Sequence, residues 1–354
     1  MANICRYRNI LLAAIALHYI HVRFAVFCRQ VFMLTQLVSE LQQTLGIIHK
    51  QDIQIASRQF QQRFTATGAG IQLGDDCAAI PDQDGFLLFA AEGLSPSLIA
   101  QDPWFAGWCG VLVNVSDIYA MGGRPVAVVD ALWSQTTNQA KAIWAGMEAA
   151  SAAFNVPIVG GHTNTHSDYD ALSVAILGRA KALITSFDAQ VGDRLLLVTN
   201  FQGKPRPNLP YCWDAATMAN PATLQKNWDI LPYLAETGLC DTGKDVSMGG
   251  IIGTALMLLE TSNCGATIDL DAIPCPAGLD FQQWLLSFPS YGFLLSVRPQ
   301  LVAKVQAYFH AQNLVAEAIA TIQSGNKLTL KLGSESQIFW DLQQSPLTGF
   351  TGKS

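Results

Sequence analysis

"LVNVSDIYAMGG", residues 112–123, has the body of a buried helix and one residue that does not belong in it. Leu112, Val113, Val115, Ile118, Tyr119 and Met121 are apolar, and Gly122 with Gly123 supply a helix stop. Asn114 and Asp117 stand three residues apart and therefore share one face. An unpaired carboxylate in an apolar interior is strongly unfavourable. Asp117 thus either meets a cation or faces water.

Around this stretch, strand-like and helix-like segments alternate. Residues 102–121 read as a helix and "PVAVVDALW" as the buried strand after it. A second helix is expected from Asn138 to Phe154, then "VPIVGGHTN" as a strand ending in a Gly-Gly loop, then the strand "DALSVAILGRA". "VGDRLLLVTNFQG" opens a second unit near residue 187, where "ATIDLDAI", "YGFLLSV" and "EAIATIQ" read as further strands. Residues 202–212, with Pro205, Pro207 and Pro210, are expected to be irregular. The domain expectation is 33–186, 187–340 and a tail at 341–354. The first 32 residues read as an over-extended start or a leader, because Met33 begins an ordinary amphipathic helix. The apolar run within them, Ile10 to Ile20, is shorter than the ~20 residues a spanning helix needs.

Half of the 354 residues are apolar and 14% are charged, enough to build two sizeable cores. A net charge of −6 without a basic run argues against nucleic acid or an anionic membrane as partner. The eight cysteines form no C-x-x-C pair and are too scattered for a disulfide scaffold, as in a cytoplasmic protein.

Four short stretches carry chemistry. "GDDCA" sets Asp75 beside Asp76 in a turn, a hard-oxygen pair suited to Mg²⁺. Asn114 and Asp117 are the second. The third is "VGGHTNTHSDYD", where His162 and His166 in a loop lose the helical meaning of their zinc-like spacing. In the fourth, "GKDVSMGGIIG", a glycine-rich turn leads into an apolar helix whose first amides suit an anion. Lys244 precedes those glycines, so this is not a P-loop.

Taken in order, "GDDCA", "NVSDIYAMGGRPVAVV", "GGHT", "GDRLLLVTNFQG" and "DVSMGGI" resemble the AIR synthetase, or PurM-like, superfamily. Its members include aminoimidazole ribonucleotide synthetase, thiamine-monophosphate kinase, selenophosphate synthetase and the HypE-type dehydratase. The resemblance runs from about Gly70 to Leu330 and implies an α+β fold of two domains. The N-terminal strands would form a barrel at a dimer interface, beside a C-terminal α/β sandwich. It also implies ATP and Mg²⁺ as cofactors, a small-molecule substrate and a homodimer. Residue by residue, Asp75, Asp76, Glu92 and Asp117 correspond to metal positions. Asn114, Gly160, Gly161, His162, Thr163 and Asp245 correspond to nucleotide positions. The implied activity is phosphotransfer or synthetase chemistry, with a catalytically reduced nucleotide-binding scaffold as the alternative. His162 and Met248 stand where thiamine-monophosphate kinase carries acids, and "SQIFWDLQQSPLTGF" matches none of the enzymatic branches, which implies an uncharacterised AIR synthase-related branch.

Overall fold

The computed structural model describes residues 33–64 and 71–350, and the expected leader over residues 1–32 lies outside them. The long helix of the opening motif begins at Pro103, whose missing N–H costs nothing at a first helical position. Asp102 caps it, accepting from the Phe105 amide at 3.0 Å. The helix stops at Ala120 because Gly122 adopts φ +73°. The amides of Gly122 and Gly123 then bond the carbonyls of Tyr119 and Ile118, each at 2.9 Å, in a Schellman motif. The sequence reading of residues 102–121 is matched to within two residues.

The first sheet has the order β1 (Ala78–Asp82), β2 (Gly85–Gly93), β5 (Ala171–Ala180), β3 (Arg124–Trp133), β4 (Ile158–Asn164). All pairs are antiparallel except β3 with β4, which a helix crossover joins. Before this sheet lie α1 (33–42), α2 (Leu45–Ile48) and α3 (Ile53–Phe64). Around its strands run α4 (Pro96–Gln101), the long helix α5 (Pro103–Ala120) and α6 (Thr137–Phe154). Helices α5 and α6 cross through two glycines. A Cβ on Gly107 would sit 2.0 Å from the Ile143 carbonyl oxygen, and one on Gly146 would sit 1.8 Å from that of Trp104. Gly146→Ala is therefore expected to destabilise the protein by roughly 2–3 kcal/mol, read as a lower urea midpoint with an unchanged slope.

The second sheet is built on β6 (Arg194–Thr199). A side excursion follows it, β7 (Lys204–Arg206) and β8 (Leu209–Asp214), then α7 (Pro221–Trp228) and α8 (Ile230–Glu236). Next come β9 (Thr242–Asp245), α9 (Gly250–Thr261), β10 (Gly265–Asp269), α10 (Phe281–Leu285) and β11 (Phe288–Pro289). The unit closes with β12 (Gly292–Val297), α11 (Val302–His310), β13 (Val315–Gln323), β14 (Lys327–Leu332) and β15 (Glu335–Asp341). The sheet order is β15-β14-β10-β13-β6-β12-β9. Strand β6 reads as unbroken "LLLV" because both of its faces are covered. Leu196 and Val198 join the core shared with the first unit, while Leu195 and Leu197 join the core of the second.

Three expectations change. Residues 33–48, read as part of the first unit, instead insert Leu34, Val38, Leu41 and Ile47 into the core of the second. The segment 202–212 is not irregular, since β7 and β8 form a hairpin with a register shift between Pro205 and Arg206 that accommodates the prolines. Gly160 and Gly161 do not open a loop; β4 runs through them to Asn164, with Gly161 opposite Asp130. Within one chain the first sheet is open and forms no closed barrel among the described residues. Its uncovered face carries Ile80, Phe89, Val129 and Leu177, with Phe89 51% exposed.

Candidate functional site

The Gly74 turn, at φ +107°, delivers the paired aspartates to the seam between the two units. They then part company. Asp75 accepts the Ser186 amide at 2.8 Å and the Asp76 amide at 3.0 Å, which ties the turn to the linker between the sheets. Asp76 turns the other way, bonds the Lys244 ammonium and accepts the Asp245 amide at 3.3 Å. Lys244 and Asp245 come from β9, at the edge of the second sheet. Asp117 comes from α5, and its Oδ2 is buried without a hydrogen-bond partner among the described residues. Carboxylate oxygens of Asp76, Asp117 and Asp245 all lie within 4.8 Å of one another. The apolar helix of the opening motif thus delivers its carboxylate to a cluster shared by both units.

Among the described residues, two cations face this cluster. Lys244 is buried, and although burial opposes its charge, Asp76 and Asp75 outweigh that and hold its pKa above the ordinary value. Lys50, between α2 and α3, is pulled below its ordinary value by burial and by Lys244, against the attraction of Glu92, Asp245 and Asp76. Glu92 stands at the rim on β2, raised by loss of hydration and lowered in turn by Lys50. Five carboxylates therefore share two ammonium groups, and the excess negative charge raises the carboxyl pKa values. Burial first and Asp76 second push Asp245 up to about 7, against Lys244 and a hydrogen bond with the Ser116 side chain. Asp75 rises to about 6, mainly by burial. Asp117 lies well above its ordinary value through burial and the charges of Asp245, Asp76 and Glu92.

These shifts have a definite sign. A carboxyl raised in the folded state holds its proton where the unfolded chain has lost it. The stability it lends is fully present below about pH 4 and is lost as pH rises toward 7. The metal-free protein is accordingly expected to lose thermal stability between pH 4.5 and 7.5, and millimolar Mg²⁺ to restore it at the upper end. Differential scanning calorimetry across that range checks both halves.

The other sequence-predicted residues are placed differently. Asn114 shares the stripe of Asp117 and is fully buried; its amide donates to the Gly110 carbonyl at 2.8 Å, and its Oδ1 has no partner among the described residues. Gly160, Gly161, His162 and Thr163 are exposed along β4, where His162 lies 5.5 Å from the Trp133 ring. The acidic cluster is built without them. Asp130, which the sequence reading passed over, lies across Gly161. A Cβ there would come within 2.3 Å of its Oδ1, and its Oδ2 is buried without a partner among the described residues. Lys244 stands next to Asp245 in the sequence, but no local pattern marks it as the counter-ion of Asp76. Lys50 carries no local signal at all. Arg124, after the Gly-Gly pair, bridges the units through Glu236 and Asp229.

This two-sheet architecture with acids at its seam has family counterparts. Residues 74–180 match the N-terminal domain of the AIR synthase related proteins, and residues 190–333 match their C-terminal domain. The chain belongs to this family. It is 80% identical over 322 residues to the uncharacterised protein sll0787 of Synechocystis, covering 91% of this chain and all of that protein. It is 26% identical over 297 residues to the thiamine-monophosphate kinase of Synechococcus elongatus, covering 75% of this chain and 88% of the kinase. Among solved structures, the AaThiL complex with AMPPCP and TMP superposes with a TM-score of 0.60 at 16% identity, over 79% of this chain and 95% of that one.

Proposed function

We propose that this protein is an ATP- and Mg²⁺-dependent phosphotransferase or synthetase that activates a small molecule by phosphorylation. The observation that carries the reading is the convergence of Asp76, Asp117 and Asp245 from two domains within 4.8 Å. Three hard oxygen donors, one with an unpartnered buried oxygen on Asp117, suit a divalent cation better than they suit one another. Bound there, Mg²⁺ would supply neutralisation of phosphate charge, which phosphoryl transfer needs more than a covalent catalyst.

The chain's own groups do the rest. Lys244 balances Asp76 and keeps the second domain's β9 against the first domain's turn. Lys50 brings a second positive charge to the rim beside Glu92. Asp75 braces the turn from behind through Ser186. The buried body of α5 holds Asn114 and Asp117 in place and keeps water from their far side. The cysteines among the described residues are free, which supports a cytoplasmic setting. The uncovered face with Ile80, Phe89, Val129 and Leu177 supports pairing of two first sheets in a homodimer, which sedimentation would register. No helix among the described residues is long and apolar enough to cross a membrane.

A scaffold that binds nucleotide without turnover is the second reading. It is favoured by the exposed His162 and Met248, which put no acid where the thiamine-monophosphate kinases carry one. Calorimetric titration with ATP and Mg²⁺, followed by phosphate release over a metabolite panel, separates the two. Binding with turnover supports the enzyme, binding without turnover across the panel supports the scaffold, and absence of binding overturns both.

A further inference from the structure

Two elements outside the matched family regions meet at the acidic cluster. One is a cover formed by α2, the 3-10 turn His49–Asp52 that carries Lys50, and α3. The other is the C-terminal segment 345–350.

The cover lies close over the site. A Cβ on Gly46 would fall 2.2 Å from the Met248 carbonyl oxygen, just ahead of α9. Beneath it the cluster is nearly shut off from solvent: the side chains of Asp76 and Lys244 are 5% and 7% exposed. Nothing the size of a nucleotide reaches those carboxylates unless some element moves. Helix α3 is the weakly held one. Between Ile53 and Phe60 only Ser57 is buried, while Ile55 and Phe60 are exposed. A helix with so little apolar packing depends on other contacts for its place.

Those contacts come from the tail. Gln54 Nε2 donates to the Pro346 and Leu347 carbonyls at 2.7 and 3.1 Å. Gly349, at φ +77°, sits so close to α3 that a Cβ would approach Ser57 Oγ to 2.9 Å. Phe350 packs on Gly74, where a Cβ would come within 2.5 Å of the phenylalanine Cβ, immediately before Asp75 and Asp76. The tail itself is anchored from below. Glu260, in the last turn of α9, is a buried carboxylate that accepts four bonds from three consecutive tail residues. The donors are the amides of Leu347 (2.7 Å), Thr348 (2.8 Å) and Gly349 (3.2 Å) and the Thr348 hydroxyl (2.6 Å). Charge-assisted bonds to one carboxylate make a strong and localised anchor.

We propose that residues 345–350 are a latch: fixed on Glu260, they hold the α2–α3 cover and its Lys50 closed over the carboxylate cluster, and their release opens it. The inference rests on the phosphotransfer reading only for the identity of what enters. Its test is made on the full chain, on a chain ending at Ser345, and on Gln54→Ala and Phe350→Ala. Hydrogen exchange at residues 45–60 and acetylation of Lys50, read by peptide mass spectrometry, are measured without nucleotide. Release of the latch is expected to raise both rates about tenfold, with exchange in β6 and β12 unchanged. Association of MgADP is expected to quicken in parallel. Unchanged exchange and acetylation in a truncated chain that keeps β6 and β12 protected would overturn the latch. If truncation unfolds the whole protein, the two point variants decide, since neither removes the Glu260 anchor; unchanged rates in both overturn it. Faster acetylation with no MgADP binding supports the latch and overturns the phosphotransfer reading. Normal MgADP binding with unchanged acetylation overturns the latch alone.

Discussion

Asp117→Asn is expected to stabilise the metal-free protein while abolishing its response to Mg²⁺ and ATP. The two effects have one cause. Asp117 is 6% exposed, its Oδ2 has no partner, and burial together with Asp245, Asp76 and Glu92 raises its pKa. Removing that charge at pH 8 relieves like-charge repulsion in a desolvated site, worth roughly 1–3 kcal/mol, and raises Tm by a few degrees. The amide has nearly the same shape, so packing along α5 is kept. It offers a cation a much poorer ligand, and Mg²⁺-dependent nucleotide affinity should fall by about 100-fold or more. Calorimetry of the metal-free variant and titration with MgATP read the two effects separately. A variant that binds MgATP like the parent chain would remove Asp117 from the site. One that is destabilised would show that its carboxylate has a structural partner.

Lys244→Met is expected to do the opposite. Lys244 is the buried counter-ion of Asp76, and its loss leaves the carboxylates, among the described residues, with Lys50 at the rim as their cation. Breaking a buried pair from one side costs about 3–5 kcal/mol, because the remaining charge stays desolvated. Methionine fills most of the volume, so the loss reports charge and not a cavity. Millimolar Mg²⁺ is expected to return a large part of that stability, by replacing the missing positive charge between Asp76 and Asp245. Urea unfolding with and without MgCl₂ measures the recovery. If Mg²⁺ rescues nothing, the cluster does not hold a divalent cation. Combining Lys244→Met with Asp117→Asn should cost less than Lys244→Met alone, since the two changes offset each other within one charge cluster.

How far the sequence reaches is visible residue by residue. The start and stop of α5 are written locally, in Asp102, Pro103 and the glycine pair, because caps act within one turn of the chain. The stripe of Asn114 and Asp117 follows from helical spacing, and the need for either a cation or water at that face follows from its apolar setting. Strand β6 is legible for the same reason: unbroken apolar residues signal a strand covered on both faces. Motif order also carries the family, over both matched regions. Beyond that the local signal fails. Gly160 and Gly161 read as a break, yet the sheet's hydrogen bonds hold them extended. Pro205 and Pro210 read as irregular, yet a register shift on a small side sheet tolerates them. The tail after Asp341 carries no local signal of its role, because that role depends on Glu260, far back in the chain.

The sequence by itself thus determined most of the elements, the family and the candidate acids. Tertiary structure decided which acids meet and what balances them. Asp75 and Asp76 are neighbours with the same chemistry, but one braces the linker through Ser186 and the other enters the cluster. The ion pair that marks the difference joins Asp76 to Lys244 across a separation of 168 residues. Propensity, caps and periodicity extend only a few residues along the chain. Charge balance in a buried site depends on distance in space, and only the packing of one domain on the other sets that distance.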